Sequence, residues 1–207
     1  MTPGVTDFGP IPREDLPSDT VALARHLIGK VVVRQTPEGT LSGRIVETEA
    51  YPPGDAAGHA FRGETPRNQS LFLERGHAYV YFAYGVVWML NVSSEAGGIG
   101  AGVLIRALHP LEGLETMRRN RGVDSLRDLA RGPGRLAAAL EIDRRLDGVD
   151  LCRTGPIWLA RDDGEAPEIG VSTRIGLTKE ADRPLRFYAR GSPFVSGPKA
   201  LNPDTTP

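Results

Sequence analysis

The sequence contains one cysteine and only three lysines among its 207 residues. Cys152 by itself cannot form an intrachain disulfide and provides no cysteine cluster for zinc, so we interpret it as a small hydrophobic residue. No apolar run reaches the roughly 18 residues of a membrane span, and the N-terminus does not resemble a signal peptide. A soluble, cytoplasmic protein is therefore expected.

An excess of basic charge is also missing, since 25 Lys and Arg stand against 26 Asp and Glu, a formal net charge of −1. The overall charge argues mildly against a nucleic-acid partner, because phosphate contacts favour a surplus of Lys and Arg. The distribution of charge matters more than its sum, however. The 25 glycines and 17 prolines indicate many turns and strands rather than long helices.

The order of the segments predicts one α+β domain built on a curved, largely antiparallel sheet flanked by helices. β-branched and aromatic residues predict strands at 30–35, 40–51, 78–84, 88–93, 103–108, 157–160, 171–175 and 185–190. Apolar spacing predicts helices at 19–28, 111–121 and 135–142. The length suits a single domain. We expect that domain to span 15–196, with a flexible arm at 1–14 and a flexible tail at 197–207.

Two glutamates interrupt the apolar strand that contains Ile45-Val46-Glu47-Thr48-Glu49-Ala50-Tyr51. Alternation on a strand would place Ile45, Glu47, Glu49 and Tyr51 on one face. One interpretation is a solvated sheet face. The other is a general base or metal ligand beside an aromatic ring, because burying carboxylates among apolar neighbours is costly without a use.

Three of the five tyrosines fall within six positions, at Tyr79, Tyr81 and Tyr84. Aromatic residues are common in strands, which is the simplest explanation. The alternative uses one ring as a stacking platform for a base and the tyrosine beside Gly85 as a wedge in a duplex, so that the hairpin would protrude.

Polar residues in apolar strands provide the remaining candidates. Arg106 lies within the segment Val103–Leu108 and requires a charged or polar partner if it is buried, for which Glu47 or Glu49 would serve. Asn91 lies in a similar apolar setting.

His59 lies in the long polar loop 52–74, where a lone histidine is more often a surface residue than a functional one.

A metal-dependent nuclease is the main chemical alternative. Glu47, Glu49, Asp55 and His59 have suitable ligand atoms for Mg²⁺ or a transition metal. Their spacing matches no diagnostic metal motif, and the arginines of the same region would repel a cation.

Taken together, these segments resemble the alkyladenine DNA glycosylase family, the 3-methyladenine glycosylases of the mammalian alkyl-purine type rather than the helix-hairpin-helix type. The motifs that carry the resemblance follow in order from residue 23 to residue 196: LARHLIGK, GRIVETEAY, GHAFRGETPRN, AYVYFAYG, NVSS, VLIRALHPLEGLETM, GPGRLAAAL and PLRFYARGSPFVS. Because they cover most of the chain, the match is far more specific than any single short motif.

The resemblance implies a role for each matching residue. It implies Glu49 as the general base, Arg106 and the carbonyl group of Ile175 as partners of the attacking water, Tyr51, Tyr81 and His59 as walls around an everted base, Asn91 as the residue that disfavours guanine, and Tyr84 as the intercalating side chain. Arg67 and Arg135 lie in motifs near the DNA-binding surface, where phosphate or supporting roles are implied.

The function implied is excision of alkylated or deaminated purines from double-stranded DNA by a monofunctional enzyme. The resemblance implies no metal, no other cofactor and no Schiff-base lysine, and it implies a monomer without a membrane partner, nucleoid-associated if the source is bacterial. Gly58 and residues 86–88 depart from the family pattern, which leaves the substrate range open. A damage-binding module without catalysis remains a third interpretation.

Overall fold

The computed structural model describes residues 9–162 and 164–203, which contain eight strands and three α-helices. The strands are β1 (Val31–Thr36), β2 (Gly39–Tyr51), β3 (Ala78–Ala83), β4 (Val87–Ser93), β5 (Gly102–Glu112), β6 (Ile157–Ala160), β7 (Ile169–Ser172) and β8 (Arg186–Ala189). The helices are α1 (Thr20–His26), α2 (Leu114–Arg121) and α3 (Pro133–Ala139). The predicted α+β class and the single domain are confirmed. Within the described ranges, no helix is long and apolar enough to cross a bilayer.

The strands form one curled antiparallel sheet in the order β3-β4-β5-β2-β1-β6, and β8 pairs with both β2 and β7. The long strand β2 changes neighbours along its length. Its first half pairs with β1, whereas the segment from Glu47 to Glu49 lies between β5 on one side and β8 on the other. The two glutamates therefore occupy an interior strand, where both edges of the backbone are paired.

The hairpin formed by β3 and β4 ends in an exposed tip. Ala83 pairs with Val87, and Tyr84 and Gly85 between them have φ angles of 53° and 70°. Glycine adopts the left-handed region freely, but a tyrosine there is under backbone strain. The tip thus presents Tyr84 to solvent, with 84% of its surface exposed, and the predicted protruding hairpin is present.

Helix α1 shows how local sequence builds the core. The carboxylate of Asp19 accepts a hydrogen bond from the backbone N–H of Ala22 and caps the helix. Leu23 and Ala24 are fully buried in the main apolar cluster, where a leucine side chain contributes about 1.5–3 kcal/mol. The hydroxyl group of Thr48 donates to the carbonyl oxygen of Ala24, which ties the helix to β2.

Several predicted element boundaries are wrong. The helix predicted at 111–121 begins only at Leu114, because β5 continues pairing with β2 as far as Glu112 and Gly113 then turns with a φ of 73°. Helix α3 begins and ends earlier than the predicted 135–142. The strand predicted at 171–175 ends at Ser172, so Ile175 lies in the segment that follows.

The predicted shared face of Ile45 and Glu47 is also wrong. The register of β2 against β5 shifts between Ile45 and Glu47, and again between Glu47 and Thr48. Such bulges interrupt side-chain alternation. Ile45 therefore belongs to the main core, whereas Glu47 bonds to buried arginines.

The predicted arm at 1–14 and tail at 197–207 fall partly outside the described residues. In the described parts, Ile11 is buried in the main core, Arg13 forms an ion pair with Asp150, and the buried Asn202 accepts from Arg186. These three residues pack against the domain. The domain boundaries themselves remain predictions.

Candidate active site

A cavity of about 150 Å³ opens beside strands β2 to β5. All eight residues assigned by resemblance to base contact, catalysis or intercalation line it: Glu49, Tyr51, His59, Tyr81, Tyr84, Asn91, Arg106 and Ile175. They come from β2, from the loop after β2, from the β3–β4 hairpin, from β5 and from the segment after β7. The fold therefore brings together residues that are up to 126 positions apart.

Glu49 is a fully buried carboxylate at this cavity, so the solvated-face interpretation is wrong for it. Its Oε1 atom accepts from the backbone N–H of Ile175 at 2.7 Å and lies 3.1 Å from Nη1 of Arg106. Its Oε2 atom accepts from the hydroxyl group of Tyr51 at 2.9 Å. Two hydrogen bonds and one ion pair orient the carboxylate, and Oε2 has only one of these partners, which leaves it able to accept from water.

Arg106 lies between two glutamates, both of which the sequence offered as partners. Its Nε donates to Oε1 of Glu47 at 2.8 Å, and its Nη1 faces Glu49. Burial alone would lower the pKa of Arg106, but Glu49 and Glu47 raise it above its usual value. The guanidinium is thus a permanent cation on the cavity wall.

Tyr51 forms a wall of the cavity and is itself backed by a cation. The guanidinium carbon of Arg174 lies 4.6 Å from the centroid of its ring, and Arg174 pairs with the buried Asp55 at 2.7 Å. Burial and the neighbouring Glu49 raise the pKa of Tyr51 above its usual value. The hydroxyl group therefore stays protonated and donates to Glu49.

Aromatic side chains from β3 and from the loop after β2 form another wall of the cavity. The rings of Tyr79 and Tyr81 stack with centroids 5.3 Å apart, and His59 meets Tyr81 edge-on at 4.4 Å. Nδ1 of His59 lies 2.9 Å from the hydroxyl oxygen of Tyr79. His59 is partly exposed, but desolvation of its packed side, followed by the charge of Arg67, lowers its pKa, so the ring is neutral near pH 7.

Two further residues shape the floor. Asn91 is 7% exposed and its amide donates to the carbonyl oxygen of Tyr79, which fixes the orientation of the side chain. Met89 lines the same region, and the hydroxyl group of Tyr81 donates to its sulfur at 3.1 Å. Burial and the nearby Tyr84 and Glu49 raise the pKa of Tyr81 to about 12.

Arg67 and Arg135 lie outside the cavity lining. Both are exposed. Arg67 donates to the carbonyl oxygen of Phe82 on the hairpin, and Arg135 pairs with Asp128 at 3.1 Å. The structure therefore places the first beside the exposed tip and the second at the start of α3.

The sequence did not indicate Tyr79, Met89, Arg174 or Arg186 as site residues. Tyr79 had a usable signal, because it alternates with Tyr81 on one strand face. Arg186 and Arg174 had none, since their partners Glu47 and Asp55 are more than a hundred residues away in the chain.

The cavity brings together stacked tyrosines, a neutral histidine and a buried carboxylate, a combination that is chemically able to hold an aromatic ring beside an acidic group. The profile of the methylpurine-DNA glycosylase family matches residues 14–193, and the chain belongs to this family.

Curated relatives match most of the chain. A Mesorhizobium japonicum protein provisionally named 3-methyladenine DNA glycosylase is 74% identical over 195 residues, which cover 94% of each chain. A Paraburkholderia phytofirmans protein with the same provisional name is 55% identical and covers 93% of this chain and 90% of its own. The human DNA-3-methyladenine glycosylase is 46% identical over 85% of this chain and 64% of its own length.

Proposed function

We propose that this protein is a base-excision-repair DNA glycosylase that removes alkylated or deaminated purines, of the 3-methyladenine, hypoxanthine and ethenoadenine class. It hydrolyses the N-glycosidic bond with a water activated by Glu49 and leaves an abasic site. The observation that carries the proposal is the buried carboxylate of Glu49, held by Arg106 and Ile175 in the cavity that Tyr51 and Tyr81 line. Family membership supports a hydrolase of N-glycosyl bonds.

Base selection follows from the aromatic walls. A purine in a duplex must leave the stack before a pocket can enclose it, at a cost of a few kcal/mol that is smaller for damaged or mispaired bases. Stacking on Tyr51 and Tyr81 returns about 1–3 kcal/mol per base, and more for a ring made cationic by alkylation. Asn91 on the floor disfavours the extra 2-amino group of guanine.

The chemistry requires a negative charge and a water near the sugar. As the glycosidic bond breaks, its electron pair leaves with the purine, which departs neutral if it was a cationic alkylated base and takes up a proton if it was neutral like hypoxanthine. Positive charge develops on the sugar ring, and the carboxylate of Glu49 stabilises it electrostatically. The same carboxylate accepts the proton of the attacking water as a general base. Arg106 and the carbonyl oxygen of Ile175 hold that water, while Arg106 keeps Glu49 oriented.

The duplex is kept open by the hairpin tip. Tyr84 enters the space vacated by the everted base, and its exposed ring replaces the lost stacking. Arg67 beside the hairpin and Arg135 at the start of α3 contact phosphates or support that surface. A strained aromatic residue at an exposed tip fits this role, because such strain is often found at functional positions.

A monofunctional reaction is proposed because the nucleophile is water. None of the described residues that line the cavity is a lysine, whereas a Schiff base and strand cleavage require a positioned amine. The metal-nuclease alternative is less well supported, since Glu47, Glu49 and Asp55 are each paired with arginine.

The test is incubation with duplexes that each carry one lesion, followed by alkaline cleavage and chromatography of the free base. We expect free base, no strand cleavage before alkali, and full activity in excess EDTA. Glu49→Gln should abolish excision while binding of the damaged duplex survives, and Glu38→Gln in the β1–β2 turn is the matched control. Turnover by Glu49→Gln would show that Glu49 is not part of the mechanism. Activity that is lost in EDTA and restored by Mg²⁺ would favour the nuclease. Tight binding of the damaged duplex without release of free base would favour the binding module.

A further inference from the structure

Glu47 is a second buried carboxylate that does not belong to the cavity lining. It is fully buried and is not among the residues that contact the cavity, so it does not touch a bound base. Its Oε1 accepts from Nε of Arg106 at 2.8 Å and from Nε of Arg186 at 2.7 Å, and its Oε2 accepts from the N–H of Ser196 at 2.7 Å. Burial would raise the pKa of Glu47, but Arg106, Arg186 and Ser196 hold it below its usual value. It is therefore an anion at neutral pH.

The geometry of Arg106 makes Glu47 relevant to the site. A guanidinium is planar and rigid, so a bond at Nε determines where its Nη atoms point. With Nε held by Glu47, the Nη1 atom faces Glu49 at 3.1 Å. Because only 8% of Arg106 is exposed, water offers little alternative to this anchor.

Arg186 holds Glu47 in turn and uses its whole donor set. Besides Glu47, it donates to the hydroxyl oxygen of Ser172 and to three acceptors near the end of the described chain, namely the carbonyl oxygens of Ser196 and Leu201 and the side chain of Asn202. The cluster contains two arginines and two glutamates, so its formal charges cancel. Removing the charge of Glu47 would leave two guanidinium groups against the single carboxylate of Glu49.

We propose that Glu47 is a positioning residue that orients the guanidinium group of Arg106 so that its Nη1 atom faces Glu49. Arg186 and the segment 196–202 in turn hold the carboxylate of Glu47 in place. This inference rests on the proposed function, because the rate it affects is that of base excision. It assigns the segment 196–202 a part in the active site, although the segment lies outside the cavity.

The experiment is single-turnover excision at saturating enzyme, with each rate constant normalised to the titrated active fraction. Glu47→Gln should lower the rate constant by about 10- to 100-fold, the range known for partners that orient metal ligands, and leave the Kd for the damaged duplex within about threefold. The double variant Glu47→Gln/Arg106→Gln should be no slower than Arg106→Gln alone, because coupled residues are not additive. An unchanged rate constant, or additive losses, would overturn the proposal.

Asn202→Ala gives a second measurement if Glu47→Gln does not fold. It leaves Glu47 in place and removes one acceptor from Arg186, so excision should slow with unchanged binding, and this effect should vanish in the Arg106→Gln background. Asn120→Ala, which removes an amide that donates to Ala139 near the end of α3, is the matched control and should keep the wild-type rate. Equal rates for the two variants would contradict the inference.

A readout independent of activity separates this inference from the proposed function. The Nε–H proton of Arg106 should exchange slowly with solvent in NMR spectra of the wild type and quickly in Asn202→Ala or Glu47→Gln. If the wild type releases no base but exchange behaves in this way, the function fails and the positioning stands. If base is released and exchange is unaffected by either variant, the positioning fails.

Discussion

The hydroxyl group of Tyr51 donates a hydrogen bond to Oε2 of Glu49 over 2.9 Å, so one side chain is both a wall of the cavity and a partner of its carboxylate. The two residues are adjacent on one face of β2, two positions apart. Substitutions of Tyr51 can separate the role of its ring from the role of its hydroxyl group.

Tyr51→Phe should slow excision by less than about tenfold, since Ile175 and Arg106 still hold Glu49, and it should leave base binding intact. Tyr51→Leu should weaken binding of the damaged duplex by about 1–3 kcal/mol, the value of one stacking contact. Single-turnover rates and Kd values measured together test both expectations. If Tyr51→Phe weakened binding of the damaged duplex as much as Tyr51→Leu, the ring and the hydroxyl group of Tyr51 would not have separate roles.

Tyr84→Gly should reduce excision from a fully paired duplex while leaving thermal stability unchanged or higher. The ring that replaces the everted base is lost, but the left-handed φ of 53° suits glycine better than tyrosine. The loss of rate should be smaller when the lesion lies opposite a mispaired base, because less stacking is broken there.

The control for Tyr84→Gly is Val86→Gly on the same tip, which removes another exposed apolar residue without removing the aromatic ring. Equal losses for the two variants would show that the tip acts only through its general shape. A lower Tm for Tyr84→Gly would contradict the backbone strain inferred for Tyr84.

Asn91→Ala should raise excision of guanine-derived lesions relative to adenine-derived ones. The amide is held by the carbonyl oxygen of Tyr79 and occupies the floor of the cavity, so its removal makes room for a 2-amino group. Rates with paired duplexes that differ only in the lesion test this expectation. An unchanged ratio, with both rates lower, would assign Asn91 to packing alone.

Asp55→Ala should destabilise the fold by about 3–5 kcal/mol, because it leaves the buried guanidinium of Arg174 without its anion. The matched control is Glu38→Ala, which breaks an exposed pair with Arg119 and should cost less than about 1 kcal/mol. Urea unfolding followed by fluorescence measures both. Equal costs would show that the buried pair contributes no more than a surface pair.

Stability should fall as the pH is lowered from about 7.5 to about 5.5, the range in which histidines titrate. Burial, followed by Lys30 for His26 and Arg44 for His109, lowers the pKa of both residues below the usual 6.5. The unfolded chain therefore binds protons at a higher pH than the folded protein, and protonation favours unfolding.

The contribution of these two histidines is complete above pH 6.5 and is lost as the pH falls towards their lowered folded-state pKa. Tm measured across this range should show a decline that is smaller in the double variant His26→Gln/His109→Gln. A Tm that is flat in the wild type, or a decline that is equally steep in the double variant, would contradict the lowered pKa values.

The local sequence was sufficient to predict most elements. The helix at 19–28, the strands at 30–35 and 40–51 and the exposed tip beside Gly85 depend on neighbouring residues, and the structure contains each of them, with shifted ends for the helix and the strands. The position of Tyr79 and Tyr81 on the same face of β3 follows in the same way from alternation along one strand. The motifs also indicated which eight residues to expect in one site.

What the sequence by itself determined is therefore the set of elements and the chemistry of their side chains, because caps, turns and alternation act over a few residues. The tertiary structure alone decided that β5 runs on to Glu112, that a bulge separates Ile45 from Glu47, and that the N–H of Ile175 reaches Glu49 from 126 positions away. Only the folded path of the chain sets such contacts, since pairing between distant strands depends on every element that lies between them.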